Sequence, residues 1–196
     1  PCDPGRLTHR VAARTRHFIL NELFFRLINS ARNGAQSIGH NLDFVAINYY
    51  TRCCVRAGLL WPPVVFGKAC KSAHHADSGT ESMTGSEVYP VGLAAVLDHF
   101  AGYGLPILIS ENGVATEDDQ LRCRFLKDHL RVIADKIAAG IEVIGYLHWS
   151  MIDNFEWALG FGPKFGLASF DAATMERSAR PSAELYAEIC RTGRLD

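Results

Sequence analysis

The 196-residue sequence has no apolar run of the roughly 18 residues that a membrane-crossing helix requires. It has no basic excess either: 20 Lys and Arg stand against 21 Asp and Glu, for a net charge of −1. A surface built to track nucleic acid needs a positive surplus, so neither nucleic acid nor a membrane is an expected partner. No C-x-x-C pair occurs among the six cysteines, Cys2, Cys53, Cys54, Cys70, Cys123 and Cys190. A disulfide framework is unusual in a core-rich chain of this length, so reduced thiols are expected. Cys70 with His74 and His75 matches no zinc spacing and lacks a fourth ligand. A polar loop accounts for them better, and no metal or cofactor is expected. The opening residues, PCDPGRLTHRVAART, lack the apolar core of a signal peptide, which says little about the compartment; it is left undecided, with the cytoplasm favoured. Internal repeats and linker-like stretches are absent, so residues 1–196 are expected to form a single domain.

Three segments that are present share one grammar. Residues 42–50 read LDFVAINYY, 105–111 LPILISE and 142–150 EVIGYLHWS. Each is a short run of Val, Ile, Leu and aromatics, the composition of a strand buried on both faces. Helical spacing surrounds them, over residues 8–30, 91–103, 122–139 and 181–193. In the first, Val11, Phe18, Ile19, Leu23 and Leu27 mark the apolar stripe; in the third, Phe125, Leu126, Leu130, Ile133 and Ile137 do so. Gly140 is placed to end the third helix, and Pro181 to begin the last. Residues 52–86, with Pro62-Pro63 and a His pair, are expected to be an irregular loop. Strands alternating with helices predict an α/β fold with a parallel sheet.

Ligands of parallel α/β folds sit at the carboxyl ends of the strands. Here those ends turn polar or aromatic together: Asn48-Tyr49-Tyr50, Ser110-Glu111-Asn112 and His148-Trp149-Ser150. A charge ending an apolar strand is costly unless it is paired or used. Glu111 is therefore a candidate site residue from pattern alone. The run HWSMIDNFEWALGFGPKFG (148–166) adds two Trp, three further acids or amides and several Phe. Aromatic faces that stack on sugar C–H faces, beside carboxylates that accept paired hydroxyls, compose a saccharide site.

These residues carry a resemblance. ILISENG (107–113) resembles the nucleophile motif of family 1 glycoside hydrolases, the β-glucosidase family of retaining (β/α)8 TIM barrels. GYLHWSMIDNFEW (145–157) is similar to that family's W-S-L-x-D-N-F-E-W signature, and LDFVAINYYT (42–51) to its D-F-I-G-I-N-Y-Y-T strand. SEVYPVGL (86–93) and GPKFGL (162–167) match two more motifs in the same order. The resemblance implies that Glu111 is the nucleophile and that Tyr50 orients it. Trp149 would lie under the sugar ring, Glu156 would accept hydrogen bonds from the 4- and 6-hydroxyls, and Trp157 would donate to the 3-hydroxyl. Phe165 would line the pocket and Asn48 would lie nearby. It also implies a cis peptide at Trp149–Ser150, a loop-supporting role for Asp153, and a β-glucoside or short β-linked oligosaccharide as substrate. Galactosides stay open, because Glu156 would face the hydroxyl at which glucose and galactose differ. Glu81, Glu87, Glu117 and Glu142 are expected to be solvated.

The resemblance covers strands 6–8 of the barrel with their helices, a C-terminal part without strands 1–5. A retaining glycosidase needs two carboxylates about 5–5.5 Å apart. The N-E-P motif that carries the family's acid/base does not occur in the sequence. Ser82-Met83-Thr84-Gly85-Ser86-Glu87 lacks the tryptophan of the family's T-x-M-G-W-E loop, and Ala158-Leu159-Gly160 has Leu where an acid is usual. A partial barrel leaves open strand edges, which drive association. The expected states are a part completed by an N-terminal half, a self-associated assembly, or a sugar-binding remnant without turnover.

Overall fold

A computed structural model describes residues 1, 3–30, 42–58, 67–70 and 82–195. They divide into two compact units, one comprising Pro1–Asp43 and Arg52–Gly79, the other Phe44–Thr51 and Thr80–Asp196.

In the first unit, helix α1 (Leu7–His17) runs through a π turn (Phe18–Glu22) into α2 (Leu23–Ser30). The extent matches the expected helix, but the stripe does not hold: Val11 and Leu27 are both at least half exposed, at 50% and 58%. A π turn inserts one extra residue, which rotates the second half by about 100° relative to the first. A further difference lies in the expected loop, where β2 (Val55–Arg56) and β3 (Lys68–Ala69) form a short antiparallel pair. Strands of two residues carry no readable alternation. Gly67 opens the second of them at φ 67°, where a Cβ would lie 3.0 Å from the Arg56 carbonyl. The expectation of reduced thiols fails at Cys70, which is disulfide-bonded, whereas Cys53, Cys54, Cys123 and Cys190 are free. Pro62-Pro63, His74, His75 and Glu81 lie outside the described residues.

The second unit is built on three parallel strands, β1 (Val45–Asn48), β4 (Ile107–Asn112) and β5 (Val143–His148), in the order β1–β4–β5. Val45 pairs with Ile107 and Ile107 with Val143. Alternation sends Val45, Ile47, Ile107 and Ile109 to one buried face. Helices α3 (Pro90–Ala101), α4 (Asp119–Ala138) and α5 (Pro181–Thr192) pack side by side, α4 between the other two. Leu93, Leu97 and Phe100 of α3 and Phe125, Leu126 and Ile133 of α4 fill the core.

Local chemistry explains the ends of these helices. Pro90 and Pro181 stand in first turns, where a missing N–H costs nothing. The α4 helix starts earlier than expected because the Asp118 side chain caps it, accepting from the Gln120 N–H at 2.9 Å. Gly140, at φ 95°, takes the chain out of it. The hairpin β6 (Ala168–Phe170) and β7 (Arg177–Ala179) has no counterpart in the sequence expectations. Its turn is closed by Asp171, whose Oδ1 accepts from the Ala173 and Thr174 N–H groups.

The strands were expected to be buried on both faces, and the structure differs. Ile144 and Leu147 of β5 are 53% and 55% exposed, and Ala46 of β1 is exposed too. The three helices cover one face only, and no other described element of this unit covers the second.

Candidate active site

The carboxyl ends of β1, β4 and β5 open into a cavity of about 710 Å³. Parallel pairing is what brings them together: Asn48 lies opposite Glu111, and Asn112 opposite His148. Tyr50 follows β1, Glu111 stands near the end of β4, and Trp149 follows β5, so all three reach one opening. The loop beyond β5 adds Glu156, Trp157 and Phe165 to the lining.

The central contact joins residues 61 positions apart. The Tyr50 hydroxyl donates to Glu111 Oε2 at 2.7 Å. Burial, then this hydrogen bond and the charges of Glu111 and Glu156, push the Tyr50 phenol well above its ordinary range. The phenol thus holds its proton and donates it to Glu111. The Tyr50 ring meets Phe165 edge to face, with centroids 6.0 Å apart.

Trp149 is half-buried, and its peptide bond to Ser150 is cis. The following loop is held by Asp153, which is buried. Its carboxylate accepts from the Gly166 N–H at 2.8 Å and is paired by both Arg180 Nη atoms, at 3.1 and 2.8 Å. Gly166 cannot be replaced there, because a Cβ would sit 2.3 Å from both the Asp153 nitrogen and the Ala168 carbonyl. Glu156 is half-buried, and its N–H donates to the Gly160 carbonyl at 2.7 Å. Trp157 is 83% exposed and occupies the left-handed region at φ 47°. Asn48 is the exception among the seven predicted residues, since it lies outside the cavity lining. Its Oδ1 accepts from the Ser110 hydroxyl at 2.7 Å, on the open face of the sheet.

Three features escaped the sequence. Glu87, expected to be solvated, is 1% exposed and lines the cavity. Its carbonyl accepts from the Thr51 hydroxyl at 2.8 Å, which draws the segment against the end of β1; nothing local in SEVYP announces that contact. Ser82, Thr84 and Ser86 form a hydroxyl-linked turn on the rim, with Ser82 Oγ and Thr84 Oγ1 2.8 Å apart. Asn112, buried beside Glu111, bonds to Tyr49, just beyond β1, and to Tyr146 of β5. Its position in S-E-N-G was visible, but its partners were not.

Parallel strands with covering helices, and a carboxylate, tyrosine and tryptophan at their carboxyl ends, define an α/β fold with a site at the strand ends. Residues 15–194 match glycosyl hydrolase family 1. The chain belongs to that family. It is 37% identical over 172 residues to a β-galactosidase of Sulfolobus acidocaldarius, covering 85% of this chain and 35% of that protein. A β-galactosidase of Pyrococcus woesei is 32% identical over 210 residues, with 96% and 41% covered. Among solved structures, a β-glycosidase from Pyrococcus horikoshii superposes with a TM-score of 0.83 at 35% identity, over 98% of this chain and 45% of that one. The family 1 β-glucosidase from Thermotoga maritima gives 0.85 at 25% identity, over 100% and 49%. The chain therefore spans less than half the length of these relatives.

Proposed function

We propose that this chain carries the nucleophile side of a retaining β-glycosidase of β-glucosidase type, corresponding to strands 6–8 of a (β/α)8 barrel with their helices. The observation that carries the proposal is the 2.7 Å hydrogen bond from Tyr50 to Glu111 at adjacent parallel strand ends, inside a cavity also lined by Trp149, Glu156 and Phe165. In the reaction, a Glu111 oxygen bonds to the anomeric carbon as the bond to the aglycone oxygen breaks. The leaving oxygen takes its proton from an acid that this sequence does not supply. Water then releases the sugar from Glu111 with retention of configuration.

Tyr50 holds the attacking carboxylate by a charge-assisted hydrogen bond, leaving its other oxygen to face the sugar. Trp149 offers an aromatic face to the ring, Glu156 accepts two hydroxyls, Trp157 donates its indole N–H, and Phe165 closes the wall. Asn48 acts only through Ser110. The missing acid/base is supplied by a complementing N-terminal half, and the open sheet face is where that half or a second copy docks. A second reading, a sugar-binding part without turnover, rests on the aromatic lining alone: Trp149, Trp157 and Phe165.

Hydrolysis of a chromogenic β-glucoside by the chain, alone and mixed with an N-terminal half from a family member, separates the two readings. The expected result is turnover on complementation, abolished by Glu111→Gln. Glucoside binding without turnover under either condition would establish the binding-only reading. Turnover that survives Glu111→Gln would remove the nucleophile assignment.

A further inference from the structure

Asn112 ends β4 directly after Glu111, and its side chain is fully buried, at 0% exposure. Its Nδ2 donates to the Tyr49 carbonyl at 2.7 Å, and its Oδ1 accepts from the Tyr146 hydroxyl at 2.9 Å. Its backbone carbonyl accepts from the Trp149 N–H at 2.9 Å. One residue thus fastens the strand of Glu111 to the strand that leads to Tyr50 and to the strand that leads to Trp149. It does so where the regular ladders break: the register shifts between Ile47 and Asn48 on one side, and between Ile109 and Asn112 on the other. At that break the side chain takes the place of ladder hydrogen bonds.

The route to Tyr50 is short and stiff. The Tyr49 carbonyl and the Tyr50 nitrogen share one planar peptide, so fixing that oxygen fixes the plane from which Tyr50 hangs. The Tyr49 N–H donates to the Glu111 carbonyl at 2.8 Å, and its hydroxyl donates to the Tyr89 carbonyl at 2.5 Å. Gly92 makes room for that hydroxyl, since a Cβ there would lie 2.2 Å from it. We propose that Asn112 is a positioning residue, which acts through Tyr49 to set the Tyr50–Glu111 hydrogen bond and through its own carbonyl to set Trp149. This rests on Glu111 being the nucleophile, and it assigns the Asn of S-E-N-G a share in the same chemistry.

Two measurements on the full chain test it. Proton NMR reads the geometry without any turnover: the Tyr50 hydroxyl, bonded to a carboxylate, is expected as a downfield, slowly exchanging resonance that Tyr50→Phe removes. In Asn112→Ser it is expected to vanish or move upfield. An unchanged resonance in that variant, or none in the unsubstituted chain, would overturn the proposal. If Asn112→Ser does not fold, Tyr146→Phe decides, because it deletes only the hydroxyl that holds Asn112 Oδ1. An upfield shift there supports the proposal and an unmoved resonance overturns it.

The second measurement is the rate at which 2,4-dinitrophenyl 2-deoxy-2-fluoro-β-D-glucoside labels Glu111, followed by intact mass. Misplacement of a reacting group by about 1 Å costs on the order of 100-fold, so Asn112→Ser and Tyr50→Phe are each expected to slow labelling by about that factor. The double variant is expected to be no slower than Tyr50→Phe alone, because both act on one bond. Losses that multiply would overturn the route through Tyr50. A folded chain that is never labelled, even with a complementing half, would overturn the glycosidase reading and leave the NMR result standing.

Discussion

Gly113 shows how tightly individual residues are constrained around Glu111. A Cβ at Gly113 would stand 1.7 Å from the Trp149 carbonyl oxygen, which is backbone and cannot rotate away. Gly113→Ala is therefore expected to move Trp149 off the site. Overpacking of this kind costs about 1–3 kcal/mol, measurable as a lower urea midpoint together with weakened glucoside binding. An unchanged midpoint with unchanged binding would contradict the geometry. At this scale the sequence showed that Glu111 is special, because an apolar strand ending on a carboxylate is costly without a use. It could not show why Asn112 and Gly113 follow, since their partners Tyr49, Tyr146 and Trp149 are 34 or more positions away.

Elements are joined by a buried ion pair rather than by apolar packing alone. Asp153, in the loop after β5, pairs with Arg180 at the start of α5, and the Gly166 N–H shares the same carboxylate. Removing one member strands a charge in a buried place, which typically costs about 3–5 kcal/mol, whereas removing both is far milder. Arg180→Met is thus expected to lower stability by roughly that amount, and Arg180→Met with Asp153→Asn to recover most of it. Thermal melts of the three proteins check this; equal losses in the single and double variants would exclude the pair as the fastening. The long helices were legible because their apolar spacing repeats over several turns. The hairpin β6–β7 and the pair β2–β3 were not, because their strands are held by backbone pairing and turn chemistry, such as the Asp171 turn, and not by an apolar face. The π turn at Phe18–Glu22 likewise leaves no mark in composition.

At the scale of the whole molecule, acid and the open sheet face set stability and association. Burial depresses the His129 imidazole to about 4, and burial with the nearby Arg122 charge depresses His148 to about 4. His129 donates from Nδ1 to the Phe125 carbonyl at 2.9 Å, which favours the charged ring, but burial outweighs it. The unfolded chain binds these protons below about 6.5 and the folded one only below about 4, so folding stability is expected to fall as pH drops through that window. Urea midpoints between pH 4 and pH 7 test this, and His129→Leu is expected to flatten the slope. The exposed Ile144 and Leu147 predict association of the chain by itself. Light scattering is expected to give a mass above the 21.6 kDa of one copy, reduced by Ile144→Lys with Leu147→Lys; a dilution-stable monomer would refute it. The sequence by itself determined the three parallel strands, the main helices and the glutamate at a strand end, because apolar periodicity and the cost of a buried charge are local facts. Only the tertiary structure decided that Asn112 bonds to Tyr49 and Tyr146, that Glu87 is buried, and that the described elements of its own unit leave one face of the sheet uncovered. Each of these depends on which distant segments the parallel sheet brings side by side, and periodicity carries no record of that.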